Sequence, residues 1–246
     1  MVLALFADVH ANLEALEACL ADARERRASR FAFLGDLAGY GPDPGAVIDI
    51  VAGHVGRGAV AVKGNHDAAI AGATEYLNDS AAAAIAWQRG VLSRAQRAFL
   101  DDMPLVVREE GICFVHASAV APERWDYVDS AAEAERSARA AGTPRTFCGH
   151  VHRQMLYISG AAERMVAFAP TPGVPIPMRA HRTALALAGS VGQPRDGNSA
   201  AAYAIADFET RMLTFHRVAY DNHATARKIR RSGLPEVLAY RLERGI

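Results

Sequence analysis

The chain has 246 residues, with 27 Lys+Arg against 27 Asp+Glu, and is 51% hydrophobic and 22% charged. That length carries one large domain or two small ones with ample core, and the apolar fraction is too high for a disordered chain. A formal net charge of zero excludes a polycationic nucleic-acid coat and an acidic tail, while leaving room for a local charged site.

Val2 to Ala7 is a continuous apolar run of strand length, the mark of a strand buried on both faces. Asp8 cuts it and no basic residue precedes it, so it is no targeting signal. Asn12 to Arg27 predicts a helix with Leu13, Leu16 and Leu20 on one face. Phe31 to Leu34 is a second strand. Asp43 then reads as an N-cap with Pro44 at the first helical position, and Ala59 to Val62 as a third strand. This order implies a largely parallel sheet with helices on its faces. Ser80 to Arg89 and Ser93 to Asp102 follow as Ser-capped helices. Leu105 to Arg108 and Ile112 to Val115 return to strands, and Ala131 to Ala141 is a polar-faced helix. Thr146 to Cys148, Met155 to Ile158, Met165 to Phe168, Thr183 to Ala188, Ala201 to Ala206 and Met212 to Val218 are closely spaced strands. They suggest a second, more antiparallel sheet. The Pro-rich stretch from Pro170 to Pro177 reads as a loop. From Asp221 the chain is helical and basic, and a solvated helix face is the default. No apolar run approaches the ~18 residues of a membrane helix. Cys19, Cys113 and Cys148 are too few and too odd for a disulfide framework, so a cytoplasmic protein is expected.

Polar residues able to hold a metal follow five of the apolar runs: Asp8-Val9-His10, Gly35-Asp36, Gly64-Asn65-His66-Asp67, His116, and Gly149-His150-Val151-His152. Alternation along an extended chain puts Asp8 and His10 on one face, and likewise His150 and His152. Taken singly, each cluster has an ordinary reading as a turn, a cap or a hydrogen-bonded histidine. Their conjunction at five strand ends points to one metal-binding place, since ligands in an α/β sheet bind beyond the carboxyl ends of strands. His54 sits at a helix end, where positive charge is favourable. His181, His216 and His223 read as surface or edge residues. Cys148 shares an extended face with His150 but reads as a small core residue.

These five motifs, in this order and spacing, resemble those of the calcineurin-like metallophosphoesterases, over roughly Leu3 to Phe215. The likeness is greatest to a compact bacterial and archaeal phosphodiesterase-like branch. That branch shares the stretches from Gly39 to Pro44 and from Gly189 to Gly197, although Leu187-Ala188 departs from the Pro or small residue usual before the latter. The resemblance implies an α/β fold, a four-layer αββα sandwich of two mixed β-sheets flanked by helices. It implies a single domain over residues 1–246, with a small helical lid at about 76–102 and a basic tail at about 221–246. It further implies two divalent metal ions (Mn, Fe or Zn, with Mn activating in vitro) and attack by a bridging hydroxide. Asp36 would bridge them, with Asp8, His10 and His152 on the first ion and Asn65, His116 and His150 on the second. His66 would protonate the leaving oxygen, held by Asp67. Asn12, Ser190 and Arg195 would meet substrate, although Asn12 reads equally as a helix N-cap and Ser190 as part of a structural loop. Tyr40 borders the pocket or packs under the neighbouring helix. The expected partner is a small phosphate ester, a phosphodiester first and a nucleotide within scope. Phosphomonoester, protein-phosphatase and dinucleoside polyphosphate chemistry are the alternatives, and a non-catalytic binding scaffold is a further one.

Overall fold

The computed structural model describes residues 1–72, 77–160 and 164–246. Strand β1 (Val2–Phe6) leads into α1 (Leu13–Glu25), then β2 (Arg30–Phe33), α2 (Pro44–Val55), β3 (Val60–Ala61) and α3 (Asn65–Ala71). Helices α4 (Asp79–Val91) and α5 (Arg94–Asp102) precede β4 (Val106–Glu109), β5 (Ile112–Val115), α6 (Ala131–Ala141) and β6 (Arg145–Cys148). Then come β7 (Gln154–Ser159), β8 (Met165–Phe168), β9 (Ile176–Pro177), β10 (Ala184–Ala188), β11 (Ala201–Asp207) and β12 (Met212–Val218). Helices α7 (Asn222–Arg231) and α8 (Glu236–Arg244) close the chain.

The strands form two six-stranded sheets, ordered β3-β2-β1-β11-β12-β9 and β4-β5-β6-β10-β7-β8. Alternation explains why β1 is apolar throughout. Leu3 and Leu5 enter the core between the sheets, with Phe114, Phe147 and Leu156 from the other side. Ala4 and Phe6 face outward onto Leu16, Leu20 and Val47 of α1 and α2. On the opposite outer face, Cys113, Cys148 and Leu185 pack on Ala134 and Ala138 of α6. The result is the expected αββα layering. Gln154 ties the sheets together: its buried amide donates to Ala188 O (3.3 Å) in one sheet and to Tyr203 O (3.0 Å) and His216 O (3.1 Å) in the other. Gln154→Leu is expected to cost about 1–3 kcal/mol, the usual cost of orphaning buried polar groups. Urea titration reads this as a lower midpoint, and an unmoved midpoint contradicts it.

Several expectations are corrected. Strands β11 and β12 join the first sheet, β11 lying antiparallel to β1 from Val2↔Asp207 to Leu5↔Ala204. The first sheet is therefore mixed, and the second is mixed through parallel β5-β6-β10 and antiparallel β4, β7 and β8, as the two mixed sheets of the resemblance imply. Strand composition carries burial but not the identity of a neighbour. Asn78, not Ser80, caps α4 by accepting from Ala81 N. Asp43 makes no side-chain cap, and its carboxylate instead takes Lys228 Nζ at 2.9 Å. Ile176 within the Pro-rich stretch pairs with Leu213 as an edge strand. The tail keeps the expected solvated basic face, with Arg227, Arg230 and Arg231 exposed, while its other face docks through Ala226, Ile229, Leu238 and Leu242, and Arg230 is held by Glu236 and Glu243. His54 is buried against Phe31 and Phe33, and burial with Arg57 and Arg24 pushes its pKa down, so it holds no cap charge. His216 is buried and stacked on Tyr203, unlike the exposed His181 and His223. Of the segment expected as a lid, Tyr76 lies outside the described residues, Leu77, Asn78 and Ala81 border a cavity at the strand ends, and Ile85 of α4, Leu100 of α5 and Leu92 between them are buried in the core. Among the described residues, no helix is long and apolar enough to cross a membrane.

Candidate metal centre

The parallel strands of each sheet, β1, β2 and β3 in one and β5, β6 and β10 in the other, bring their carboxyl ends to one edge of the sandwich. Asp8, Asp36, Asn65, His116, His150 and His152 all lie just past those ends. They do not converge by extended alternation. Asp8 (φ 53°), His10 (47°), Asp36 (54°), His150 (69°) and His152 (60°) are left-handed, and these turns aim the side chains inward. Such backbone costs energy and persists where the surroundings hold it. Cys148 belongs to the α6-side core and not to the site.

Glycine is required at position 64, where a Cβ would stand 2.2 Å from Asp36 Oδ1 and 2.4 Å from Asp36 N. Gly64→Ala is expected to displace Asp36 and weaken metal uptake at least ~10-fold, as loss of an orienting contact does. Metal titration followed by calorimetry measures this, and wild-type uptake would contradict it.

The tautomers follow from the outer hydrogen bonds. His10 Nδ1 donates to Ala38 O (3.0 Å), His116 Nδ1 to Leu34 O (2.7 Å) and His152 Nδ1 to Gln193 O (2.6 Å). The Nε2 atoms of His10 and His152 therefore carry lone pairs, and that of His116 carries one once its ring is neutral. Those lone pairs face other acceptors. His10 Nε2 lies 3.2 Å from His152 Nε2 and 3.6 Å from Asp36 Oδ2, and His152 Nε2 lies 3.5 Å from Asp8 Oδ1. His116 Nε2 lies 3.1 Å from His150 Nδ1, 3.2 Å from Asn65 Oδ1 and 3.4 Å from Asp36 Oδ2. All seven residues are buried. Acceptors converging on acceptors are repulsive unless a cation sits among them. Metal–ligand bonds of about 2.1 Å put neighbouring donors about 3.0 Å apart in an octahedron and about 3.4 Å in a tetrahedron. The donor set thus fits divalent transition ions by chemistry and by spacing.

Electrostatics agree with that reading. Burial keeps His10 and His152 neutral, with pKa values well below the ordinary one. Burial also pushes His150 down to about 3. Burial opposes ionisation of Asp36, but His116 and His66 outweigh it and hold its carboxyl well below the usual range. Burial lifts Asp8 to about 7, and a cation beside it favours the ionised form. At His116 burial is outweighed by Asp36, which pushes the ring up to about 9, so a proton and a metal ion compete for its Nε2. The Asp8 carboxylate accepts from His150 N at 3.0 Å, and Asp36 Oδ1 from His66 N at 2.8 Å.

His66 lines a cavity of about 430 Å³ together with Asp36, Asn65, His150 and His152. Its ring packs on Tyr40 at 4.6 Å, and its Nδ1 has no partner. Asp67 does not hold it. The Asp67 carboxylate is buried and accepts from Gly64 N (2.9 Å) and Ala38 N (3.0 Å), tying two site loops together. Asn12 is the α1 cap, accepting from Ala15 N, and its amide donates to Gly192 O (2.9 Å) and Tyr220 OH (3.0 Å). Ser190 Oγ donates to Asp8 O (2.9 Å) and accepts from Gln193 N (2.8 Å). Both are buried and spent on the loops, and neither lines the cavity. Arg195 does line it and donates to Tyr40 OH (3.2 Å) and Gln193 Oε1 (3.1 Å). Asp196 pairs with Arg217 rather than with Arg195.

Several site residues escape the sequence reading, among them Gln88, Trp125 and Tyr127. Gln88 accepts from Gly39 N (2.7 Å) and donates to Gly41 O (2.8 Å), fixing the turn that carries Tyr40. Its signal was its place on the apolar face with Ala81, Ala84 and Ile85. Trp125 and Tyr127 line the cavity from a loop without any motif. A larger depression of about 780 Å³, bordered by Glu135, Arg139, His181 and Arg182, holds none of these side chains.

Two mixed sheets with a buried imidazole–carboxylate cluster at their strand ends define a metallophosphoesterase. The sequence model of the calcineurin-like phosphoesterase superfamily domain matches residues 1–211. The chain belongs to that superfamily and is a metal-dependent phosphoric ester hydrolase. It is 31% identical to the uncharacterized protein MJ0912 of Methanocaldococcus jannaschii, over 98% of this chain and 97% of that one. The crystal structure of a metallophosphoesterase from Sphaerobacter thermophilus superposes with a TM-score of 0.89 at 34% identity, over 100% of this chain and 99% of that one. The hypothetical protein PH1004 from Pyrococcus horikoshii OT3 shares the fold, with a TM-score of 0.80 at 21% identity over 100% and 98%.

Proposed function

We propose that the protein hydrolyses a phosphodiester with two divalent ions. Asp8, His10, His152 and Asp36 hold one, and Asn65, His116, His150 and Asp36 the other. One observation carries this reading: Asp36 Oδ2 stands between two imidazole groups, 3.6 Å from His10 Nε2 and 3.4 Å from His116 Nε2. Imidazole, carboxylate and amide donors suit Mn, Fe or Zn, and Mn is the ion for assay. Two such ions supply Lewis acidity to the phosphoryl oxygens and make water a better nucleophile.

The chain's own groups do the rest. The ions outweigh the carboxylates of Asp8 and Asp36, which leaves the cavity floor positive for an anionic ester. Arg195, held by Tyr40 and Gln193, adds a charge-assisted contact to a phosphoryl oxygen. Burial lowers the His66 pKa, so the ring on the cavity wall would take up a proton beside an anionic phosphate ester and pass it to the leaving oxygen. Asp67, Asn12 and Ser190 hold the loops that carry these groups. The reaction is set in the cytoplasm, in keeping with three buried free cysteines. Turnover of bis(p-nitrophenyl) phosphate, p-nitrophenyl phosphate and a dinucleoside polyphosphate with Mn²⁺ tests the choice. The diester is expected to be fastest, and preference for either other substrate overturns it.

A further inference from the structure

The aromatic wall of the cavity has no part in the chemistry above. Trp125 and Tyr127 stand beside the second donor group. The Trp125 ring lies 6.0 Å from that of His116, and the Tyr127 ring stacks on His150 at 4.2 Å and 23°. Stacking covers one face of Tyr127, yet the residue remains 52% exposed within the cavity mouth. The loop is built for this presentation. A 3-10 turn, Pro122–Arg124, is flanked by left-handed Ala121 (φ 48°) and Trp125 (φ 59°). Left-handed backbone is unusual for a bulky aromatic and marks a position held for a purpose. Both ends of the loop are anchored: Ala119 N donates to Ser137 Oγ at 2.9 Å, and Val128 is buried in the α6-side core. Tyr40 and Arg195 occupy the side of the first donor group, since Tyr40 packs on His10 at 4.4 Å.

The geometry points to a stacking platform: Trp125 and Tyr127 receive a planar nucleobase carried on one ester arm of the substrate, while the phosphate lies over the donor cluster toward Arg195. This deepens the phosphodiesterase reading and rests on it. The substrate class is then a small nucleotide phosphodiester. A cavity of about 430 Å³ fits a mononucleotide unit. A neutral chain lacks the basic excess that tracks a long nucleic-acid backbone.

Binding separates the base from the phosphate. Calorimetry with the Mn²⁺-loaded protein compares AMP with ribose 5-phosphate, which lacks the base. AMP is expected to bind about 10-fold tighter, within the ~5- to 150-fold that stacking on an aromatic side chain contributes. Tyr127→Ala and Trp125→Ala should erase that ratio with metal content and ribose 5-phosphate affinity kept, and Tyr127→Phe should retain it. Equal affinity of the wild type for the two compounds overturns the platform and leaves the phosphoesterase reading standing. Loss of metal in Tyr127→Ala also overturns it and makes the ring a support for His150. Binding of neither compound contradicts the phosphoesterase reading itself, and the platform with it.

Discussion

Asp36→Asn is expected to yield a folded protein that no longer takes up metal and no longer turns over substrate. The fold survives because Asn keeps an oxygen for His66 N, which donates to Asp36 Oδ1 at 2.8 Å. The new amide N–H then faces His10 Nε2 and His116 Nε2, which lie 3.6 and 3.4 Å from the Asp36 carboxylate. The metal-free protein meanwhile loses the carboxylate that favours a proton on His116, so its melting temperature in EDTA should fall modestly below the wild type's. Both donor groups lose their shared anion, and affinity should fall by more than the ~10–100-fold that removal of an orienting partner costs. Thermal melts with and without Mn²⁺ read both at once. At an ion concentration 100 times Kd, the wild type should gain about 2.7 kcal/mol, or about 5–11 °C for a chain this long. Asp36→Asn should gain nothing. A preserved Mn²⁺ shift in the variant would remove Asp36 from the metal set.

His66→Asn should separate chemistry from metal binding. His66 lines the cavity, and among the described residues its Nδ1 has no hydrogen-bond partner, so its loss orphans no group there. The backbone N–H that supports Asp36 is untouched. Turnover of a diester should fall about 100- to 10,000-fold, the range for removal of a general acid. Metal content should remain that of the wild type. The loss should shrink for a p-nitrophenoxide leaving group, which departs without a proton, relative to an alkoxide. A uniform loss on both substrates would assign His66 to charge stabilisation, and loss of metal would make it a ligand.

The sequence reading succeeded where chemistry repeats at strand ends. Asp8, His10, Asp36, Asn65, His116, His150 and His152 come together because parallel strands deliver their carboxyl ends to one edge, in overlapping donor groups of which one, with His10 and Asp36, also takes in His66. The expected route was mistaken, because left-handed turns and not alternation aim the side chains. Local sequence names the residues, while dihedral angles follow from loop packing. Strand positions were legible from apolar runs, as at Ile112–Val115 and Met212–Val218. The seat of β11 beside β1 was not, since an Ala-rich strand buried on both faces suits either sheet. Asp67 misled through adjacency: its neighbour His66 points into the cavity while its own carboxylate turns to Gly64 N and Ala38 N. Trp125 and Tyr127 were invisible because nothing in a motif-free loop says which side chains return to a site.

The converging acceptors are proposed to form a two-ion centre for phosphodiester hydrolysis. Titration of metal-free protein with Mn²⁺, with bound metal and bis(p-nitrophenyl) phosphate turnover measured on the same samples, tests it most directly. Turnover should rise with occupancy and level off at two ions per chain. Saturation at a single ion, or two ions bound without turnover, would contradict it.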